Sequence, residues 1–307
     1  MISVVMPTYK TEWETVEKAI GSVVKQSFQD WELVLVDDNP QDSPLKLKIV
    51  SEIKKYDSKK IHLLVNDTNR GANYSRNRGI EASIGEYIAF LDSDDEWDEY
   101  YLKLIEEAIG QYNPDIISSK YRYVTIDGEF LSSEQRNYEG NMYRDLIYED
   151  CIGPTSAVVI RKDMAMKVGL FDENLSARQD YDMWIRMSKI GAITHYNRIP
   201  SLSIYRIGGD TISTRGLIAV EGTEKVLKKI LRDSITIGEE SRIRYSHYYR
   251  CGKTAADRGR FDVATEYFSK ALKNKFTLKC LLLFLAVHKD FIYKKIMRIH
   301  QKKQIIQ

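Results

Sequence analysis

Three aspartates lie within four residues in the stretch Phe90–Trp97, which reads FLDSDDEW. Asp92, Asp94 and Asp95 follow an apolar run, and carboxylates this close repel one another unless a cation offsets their charge. Mg²⁺ typically takes one or two protein carboxylates, while water and substrate phosphates fill its other positions. The cluster therefore predicts a metal that also holds a phosphorylated ligand. The alternative is an acidic turn that caps a helix beginning near residue 98.

Spacing excludes two other kinds of metal site. An EF-hand loop that began at Asp92 would need Gly at 97 and Glu at 103, where the chain has Trp97 and Lys103. A zinc site would need His or Cys at ligand spacing, and none of the five histidines and three cysteines provides it. The cysteines also form no C-x-x-C pair, which indicates free thiols in a reducing compartment.

The elements that must position these carboxylates alternate between strand and helix. Continuous apolar runs predict strands at 2–6, 32–38, 61–65, 86–91 and 115–119. Helical spacing predicts intervening helices, of which the first begins with a capping box from Thr11 to Glu14 and the last covers about 98–110. This pattern is typical of an α/β fold with a mostly parallel sheet flanked by helices.

In such sheets, ligands bind beyond the carboxyl ends of the strands. We therefore expect the segments 7–9, 37–39, 66–71 and 92–95 to converge on one crevice. Asp38 could accept hydrogen bonds from a base or a sugar, although an Asp-Asn pair also suits a turn. The arginine forks near the third strand end suit phosphate oxygens or surface salt bridges, and they belong to Arg70, Arg76 and Arg78.

The pattern changes beyond residue 120. We expect a hairpin over 121–131 with its turn at Asp127-Gly128, a strand at 155–160, a helix at 179–190 and short strands within 192–206. From about 216 onward every segment predicts helix, and residues 248–272 resemble one repeat of tetratricopeptide type, which must pack on its neighbours. Two domains are therefore predicted, at 1–215 and 216–307.

Charge separates the same two parts of the chain. Residues 1–215 carry 26 Lys and Arg against 35 Asp and Glu, a net charge of −9, whereas residues 216–307 carry 20 against 9, a net charge of +11. Such asymmetry indicates two roles, with the basic part facing an anionic partner.

The motifs, taken together, resemble those of family 2 glycosyltransferases of the GT-A fold. They are VVMPTYK, LVLVDDNPQD, NRGANYSRNRGIEASIGEYIAFLDSDDEW and VGLFDENLSARQDYDMWIRM, in the family's order and spacing over roughly residues 1–210. The resemblance implies inverting transfer from a nucleotide-diphosphate sugar, expected to be a UDP-sugar. The acceptor it implies is a hydroxyl of a glycan or lipid-linked molecule in bacterial surface polysaccharide synthesis.

The resemblance also implies roles for particular residues. The donor would contact Pro7, Thr8, Tyr9, Asp38, Arg70, Arg76, Asn77, Asp92, Ser93 and Arg206. The D-x-D pair, Asp92 and Asp94, would hold Mg²⁺ or Mn²⁺ on the diphosphate, and Asp95 extends it. Asp94 is the first candidate ligand, with Asp92 and Asp95 as candidates for the second.

Asp180 matches the family's general base, which would take the proton of the acceptor hydroxyl. The alternative for Asp180 is capping of a helix N-terminus. Two positions depart from the family pattern. Gln179 stands where Glu is usual, and Gly208 stands where a histidine is common, a loss for which Arg206 could compensate. The absence of a Q-x-x-R-W motif argues against a processive polysaccharide synthase.

Residues 270–307 contain ten Lys or Arg and a single acidic residue, Asp290, mixed with Leu, Phe, Ile and Tyr. This composition favours a helix that lies on an anionic membrane surface. The alternative is a helix packed on the catalytic domain with a solvated basic face. No recognition motif favours nucleic acid. With no signal peptide evident at the start, we expect a cytoplasmic protein, peripheral on the inner face of the plasma membrane.

Two rival classes carry a D-x-D pair or bind sugar nucleotides. A phosphotransferase of haloacid-dehalogenase type normally has its nucleophilic Asp on the first strand and Thr or Val two residues after the second Asp. Here the pair follows the fourth strand, and Glu96 occupies that later position. A catalytically inactive sugar-nucleotide-binding protein is the other rival, and the presence of Asp92, Asp94 and Asp180 argues against it.

Overall fold

The protein is described by a computed structural model that covers residues 1–125, 130–132, 138–197, 203–207, 217–233, 236–287 and 289. The chain divides into two compact units. The first comprises Met1–Tyr143, Cys151–Glu173 and Gln179–Ile207, and the second comprises Arg144–Asp150, Asn174–Arg178 and Gly208–Gln307. The second unit thus includes two short segments that precede residue 216. The catalytic role predicted for residues 1–215 and the membrane role predicted for 216–307 stay predictions.

The strands of the described chain all belong to the first unit. They are β1 (Ile2–Thr8), β2 (Trp31–Asp37), β3 (Ile61–Val65), β4 (Tyr87–Phe90), β5 (Glu96–Trp97), β6 (Ile116–Ser119), β7 (Tyr121–Thr125), β8 (Phe130–Ser132), β9 (Val158–Arg161), β10 (Thr194–Asn197) and β11 (Ser203–Ile207). Seven of them form one sheet in the order β10-β6-β9-β4-β1-β2-β3.

The helices of the described chain flank this sheet or form the second unit. They are α1 (Trp13–Val24), α2 (Pro44–Glu52), α3 (Ala72–Ala82), α4 (Tyr101–Tyr112), α5 (Tyr143–Leu146), α6 (Lys162–Lys167), α7 (Gln179–Lys189), α8 (Ile218–Ile230), α9 (Ile237–Asp257), α10 (Phe261–Asn274) and α11 (Leu278–Val287). Short 3-10 turns follow α2 and precede β9.

The predicted fold class is confirmed, because β4, β1, β2 and β3 are adjacent and parallel. Thr8 is paired with Asp37, and Asp37 with Val65, so these strands reach the same edge of the sheet together. The strand β9 is antiparallel to both of its neighbours, β4 and β6. The four strand ends that should share a crevice therefore do share one edge.

The parallel strands are apolar on both faces because helices cover both. Val4 and Met6 of β1 belong to one buried cluster with Val16 and Ile20 of α1. On the opposite face α3 lies close to β1, where a Cβ atom added at Gly79 would meet Val5 Cγ1 at 2.5 Å. Glycine at this position lets the helix that follows the third strand end approach the sheet.

One local prediction was wrong, and two others were confirmed with shifted ends. The helix α1 begins at Trp13 with no side-chain cap, because the Thr11 hydroxyl instead lies 2.9 Å from the Ser93 hydroxyl. The predicted strand at 155–160 begins only at Val158, since Thr155–Ala157 form a 3-10 turn. The helix expected over about 98–110 is α4, which follows the short strand β5 and covers Tyr101–Tyr112.

A second sheet has the order β5-β11-β7-β8. The predicted hairpin is confirmed by the antiparallel pairing of β7 with β8, while its turn, Asp127-Gly128, lies outside the described residues. The strand β11 is parallel to β7 and antiparallel to β5, with Ile204 opposite Glu96.

The second unit contains helices and loops, and no strand, among its described residues. The predicted helix pair is formed by α9 and α10. The two helices approach closely at Gly252, where an added Cβ atom would lie only 2.7 Å from the Phe268 ring. Ala255, Phe268 and Cys280 belong to one buried cluster, so α11 packs against the same pair. Within the described residues, none of the helices combines the length and apolar character that crossing a bilayer requires.

Candidate active site

The first two strand ends are tied together by their backbones. The Asp38 N–H donates to the Thr8 carbonyl at 2.9 Å, and the Lys10 N–H donates to Asn39 Oδ1 at 2.9 Å. Thr8 is buried and Pro7 is half-buried, whereas the Tyr9 ring is exposed with Lys10 Nζ 5.3 Å from its centroid. The end of β1 thus presents one aromatic face to solvent.

The buried carboxylate of Asp38 holds the loop after β3. Its Oδ1 accepts hydrogen bonds from Asn66 Nδ2 at 2.7 Å and from the Arg70 N–H at 2.8 Å. Its Oδ2 accepts from the Gly71 N–H at 2.8 Å, and Gly71 has φ of +87°, which favours glycine. Asp38 therefore fixes the backbone of residues 70 and 71, so that the loop is set before any ligand arrives.

The neighbouring Asp37 is also fully buried. Burial raises the pKa of its carboxyl, although hydrogen bonds from the Asn39 N–H and Asn39 Nδ2 to Oδ1 lower it in part. The buried ammonium of Lys46 also lowers the pKa of Asp37, and it donates to the Asn66 carbonyl at 2.8 Å. Lys46 thus also stabilises the loop after β3.

The three arginines near this loop have different surroundings. The Arg70 side chain is exposed and its Cζ lies 4.0 Å from the Tyr74 ring centroid. Arg78 Nη1 instead donates at 2.6 Å to both the Val65 carbonyl and Asn66 Oδ1, so it closes the end of β3. Of these two, Arg70 is the one placed to meet an anion from solvent.

Arg76 is buried and reaches the acidic turn. Its Nη2 lies 2.5 Å from Asp92 Oδ1, and the two side chains are 5% and 25% exposed. Its Nε and Nη1 have no hydrogen-bond partner within the described structure, and its Cζ lies 5.8 Å from the Phe171 ring centroid. The pair therefore offsets one of the clustered negative charges with a cation from α3.

The acidic turn itself is held from two sides. The Asp95 N–H donates to the Asp92 carbonyl at 3.0 Å, and the Asp92 N–H donates to the Ser156 hydroxyl at 3.0 Å. Ser93 is buried against Thr11, and Asp95 is only 1% exposed. Asp94 is half-buried. Asp92 and Asp94 are thus the carboxylates of the turn that retain contact with solvent.

A divalent ion fits this donor set only if a ligand completes its coordination. Among the described residues, no group of three or more His, Cys, Asp or Glu side chains is arranged to hold a metal. One or two carboxylate oxygens with the remaining positions left to water and phosphate is the usual way in which proteins bind Mg²⁺. The turn is compatible with that arrangement and with Mn²⁺, which prefers the same oxygen ligands.

The strand β5 connects the acidic turn to the second sheet. Trp97 Nε1 donates to the Ser156 carbonyl at 2.8 Å, and its ring stacks on Tyr101 at 4.4 Å between centroids. Because β11 is antiparallel to β5, the backbone beyond Ile204 runs back toward the acidic turn. Arg206 lies on this part of β11, opposite Val124, and its side chain is outside the described residues.

Two asparagines of α3 hold the segment that leads to α7. Asn77 forms a reciprocal pair with the Phe171 backbone, in which Nδ2 donates to the carbonyl and Oδ1 accepts from the N–H, both at 2.9 Å. Asn73 Nδ2 donates to the Asp172 carbonyl at 2.9 Å. The amide of Asn77 is thus engaged with the protein on both sides.

Aromatic packing anchors α7 beside the end of β4. The Trp184 ring lies 6.4 Å from both Phe90 and Phe171, and those two rings are 5.4 Å apart. Asp180 precedes Trp184 by four residues, so both lie on the same face of the helix. The predicted base is therefore on the helix face that packs at the strand end from which the acidic turn emerges.

The side chain of Asp180 is half-buried, and its Oδ1 accepts from the Tyr181 N–H at 2.8 Å. This bond goes to the N–H of the next residue in the first turn of α7, and Asp180 is the second residue of that helix, two positions after its N-cap. The residue before Gln179, Arg178, has φ of +63°, a left-handed conformation that sets the direction in which α7 begins. The assignment of Asp180 as the base stays a prediction.

Several residues that hold the site could not be found from their spacing. Ser156, Thr11 and Asn73 each bind a segment distant in sequence. The surrounding pattern does not mark Ser156, and it marked Thr11 only for a helix cap that the structure does not form. Asn73 is the partial exception, because it lies in the same stretch, NRGANYSRNRG, that contains Arg76 and Asn77.

Curated relatives include proteins of bacterial polysaccharide synthesis. The amylovoran biosynthesis glycosyltransferase AmsB of Erwinia amylovora is 32% identical over 62% of this chain and 64% of its own length. The putative teichuronic acid biosynthesis glycosyltransferase TuaG of Bacillus subtilis is 29% identical over 76% of this chain and 89% of its own. The Escherichia coli enzyme WfgD, a UDP-Glc:α-D-GlcNAc-diphosphoundecaprenol β-1,3-glucosyltransferase, is 27% identical over 70% of this chain and 80% of its own.

Solved structures share the fold at low sequence identity. S. aureus TarS 1–349 in complex with UDP-GlcNAc matches with a TM-score of 0.66 and 17% identity over 99% of this chain and 92% of TarS 1–349. The Pyrobaculum calidifontis mannosyltransferase PcManGT, in complex with GDP-Man and Mn²⁺, matches with a TM-score of 0.63 and 13% identity over 99% of this chain and 86% of its own. These structures have the GT-A fold.

The sequence model of glycosyl transferase family 2 matches residues 3–175, which is more than half of the 307-residue chain. The matched range contains the four parallel strand ends, Arg76 and the acidic turn. It ends just before Asp180. The resemblance seen in the motifs is thereby confirmed: the chain belongs to the family 2 glycosyltransferases and is a glycosyltransferase with a GT-A fold.

Proposed function

We propose that the protein transfers a sugar, with inversion, from a nucleotide-diphosphate sugar to a hydroxyl of a glycan or lipid-linked acceptor. A UDP-sugar is the donor that we favour. The observation that carries the proposal is the single sheet edge formed by β4, β1, β2 and β3. An exposed aromatic ring, an exposed arginine and two solvent-contacting carboxylates all follow strands that end at this edge.

We propose that the nucleobase and ribose lie on the segment Pro7–Tyr9, with the Tyr9 ring as a stacking surface. A carboxylate offers about four lone-pair sites, and Asp38 uses three of them within the loop. Its fourth could accept a hydrogen bond from the base or ribose. Arg70 would meet the diphosphate, and Arg76, Asn77, Ser93 and Arg206 would line or support the donor site.

We propose that Mg²⁺ or Mn²⁺ is held by Asp94 together with Asp92. Asp92 is half-buried whereas Asp95 is buried, and this difference favours Asp92 as the second ligand. When bound, the ion would act as a Lewis acid that stabilises negative charge on the departing diphosphate. The Mn²⁺ in the PcManGT complex supports this cofactor class for a protein of the same fold.

We propose Asp180 as the general base. It would accept the proton of the acceptor hydroxyl while that oxygen bonds to the anomeric carbon and the bond from that carbon to the diphosphate oxygen breaks. Attack from the face opposite the leaving group inverts the anomeric configuration. Gln179 cannot supply the negative charge of the usual Glu, so positioning of the acceptor falls to other groups.

The acceptor class follows from relatives. WfgD, by its name, acts on a sugar linked to diphosphoundecaprenol, and AmsB and TuaG serve polysaccharide biosynthesis. We propose a related role in bacterial surface polysaccharide synthesis, at the cytoplasmic face of the plasma membrane. Peripheral contact would come from the basic residues of 270–307 with anionic lipid.

A donor screen tests the proposal. Calorimetry with UDP-, GDP- and dTDP-sugars, with Mn²⁺ and with EDTA, should show metal-dependent binding of one nucleotide class. Nuclear magnetic resonance of the transferred product should then show the anomeric configuration opposite to that of the donor. Binding of no nucleotide sugar, or retention of configuration, would overturn the corresponding part of the proposal.

A further inference from the structure

The helix α11 combines a buried face with an exposed apolar face. Cys280, Ala286 and Val287 pack into the cluster shared with α9 and α10. Leu278, Leu282 and Leu285 are 65%, 57% and 52% exposed. Their spacing of four and three residues places them on one stripe of the helix. Contiguous exposed apolar surface of this kind marks a docking site for protein or membrane.

The same surface is flanked by positive charge. Residues 267–289 contain five lysines and no Asp or Glu. Lys270 is paired with Glu266 at 2.6 Å, but Lys273, Lys275 and Lys279 are exposed and form no ion pair within the described part of the chain. Their charge is therefore available to a partner.

The turn between α10 and α11 extends the apolar stripe. Phe276 is 70% exposed and lies between Lys275 and the first leucine of the stripe. Lys275 Nζ and Lys279 Nζ lie 5.8 Å and 5.7 Å from the ring centroids of Tyr245 and Tyr249. Lysine stems can lie along apolar surface while their ammonium groups reach phosphate, the behaviour expected at a lipid headgroup layer.

We propose that this lysine-flanked face, defined as Phe276, Leu278, Leu282 and Leu285 with Lys273, Lys275 and Lys279, docks on an anionic lipid surface. Such a surface offers hydrocarbon to the leucines and phosphate to the lysines at the same time. A second copy of the chain fits less well, because a two-fold contact would bring the same lysines against each other. The inference rests on the proposed function in one respect: binding through this face would hold the enzyme where a lipid-linked acceptor lies.

The test is flotation of the purified full chain with vesicles. We expect binding to phosphatidylcholine vesicles that contain phosphatidylglycerol, weaker binding as salt rises, and little binding to phosphatidylcholine alone. The variant L278E/L282E should lower the vesicle partition by more than about tenfold, because it removes apolar contact and adds negative charge. The variant K273Q/K275Q/K279Q should lower it by on the order of a hundredfold.

A matched control separates this face from general surface hydrophobicity. Leu47 and Ile84, in the first unit, are 64% and 74% exposed, so L47E/I84E makes the same chemical change elsewhere and should float like the wild type. Circular dichroism checks that each variant keeps its helical content. Light scattering after gel filtration should show the same mass for the wild type and L278E/L282E.

Three results would overturn the proposal: no binding of the wild type to anionic vesicles, equal binding by L278E/L282E, or a wild-type dimer that L278E/L282E dissociates. The last would assign the face to contact between copies. Calorimetric binding of the donor in vesicle-free buffer is a separate readout. If no donor bound, the proposed function would be refuted and the flotation result would be unaffected. If the protein did not float with anionic vesicles, the docking proposal would be refuted and the donor binding would be unaffected.

Discussion

Arg76 Nη2 lies 2.5 Å from Asp92 Oδ1, and this ion pair joins helix α3 to the acidic turn after β4. The turn follows β4, while the helix follows β3, which is the third strand along the sheet from β4, so the pair connects segments from different strand ends of the edge at which the ligand is expected. It reduces the repulsion among the clustered carboxylates before any metal is present. The arginine therefore supplies one positive charge that stabilises this turn.

The Arg76–Asp92 pair should show coupling in a double-mutant cycle. We expect R76M to lower the free energy of unfolding by about 3 kcal/mol, because the variant leaves the Asp92 carboxylate without its positively charged partner. The double variant R76M/D92N should be less destabilised than the sum of the single variants, with a coupling energy of about 1–3 kcal/mol measured by urea denaturation. Additivity within about 0.5 kcal/mol would show that the pair has no energetic role.

The substitution D94A should abolish the metal-dependent part of donor binding. Asp94 lies at the surface of the turn, so we expect little change in stability but at least a tenfold loss of donor affinity in the presence of Mn²⁺, measured by calorimetry. The exposed neighbour Glu99 supplies a control, since E99A also removes one carboxylate close in sequence. An unchanged metal-dependent affinity in D94A would refute its assignment as a ligand.

The substitution D180N separates the two roles open to Asp180. The amide oxygen of asparagine can still accept the hydrogen bond from the Tyr181 N–H, but asparagine cannot act as a base, so D180N should keep stability and donor affinity. We expect its transfer rate to fall by about 10²- to 10⁴-fold, as is typical when a general base is lost. Transfer at the wild-type rate in D180N would leave capping as the role of this residue.

The second unit should lose stability in acid through His247. Burial lowers the pKa of this imidazole to about 4, and the charges of Arg250 and Arg178 act in the same direction, while the bond to the Ile147 carbonyl opposes them. The folded state holds the neutral ring, so its contribution is fully present above the unfolded pKa of about 6.5 and is lost as pH falls toward 4. Over that window we expect a loss of about 3 kcal/mol.

Urea denaturation at pH 7.5 and pH 4.5, followed by the helical signal, measures this dependence. The variant H247F should be less stable at neutral pH, because it gives up the hydrogen bond to Ile147, but its stability should change less with pH. The variant H62Q removes a half-buried histidine of the first unit and is measured alongside as a matched substitution. An identical pH slope in H247F and the wild type would contradict the assignment.

The architecture that carries the site was predictable because it depends on local pattern. Continuous apolar runs of strand length, each followed by helical spacing, require a buried parallel sheet, and a parallel sheet places its strand ends at one edge. The convergence of Pro7–Tyr9, Asp38, the loop before α3 and the acidic turn on that edge follows directly. So does the location of Asp92 and Asp94, since they come immediately after β4.

The partner of each polar side chain at that edge was decided only by tertiary structure. Asp38 and Asn77, predicted as donor contacts, bind the backbone of segments 32 and 94 residues away, and the predicted cap Thr11 binds Ser93. Arg70, Arg76 and Arg78 are equivalent in sequence terms, yet one is exposed, one is paired with Asp92 and one closes a strand end. Periodicity records which face of an element is buried, because that depends on neighbours along the chain. A hydrogen bond depends on which loop the fold brings within 3 Å, and that distance is set by the packing of the whole unit.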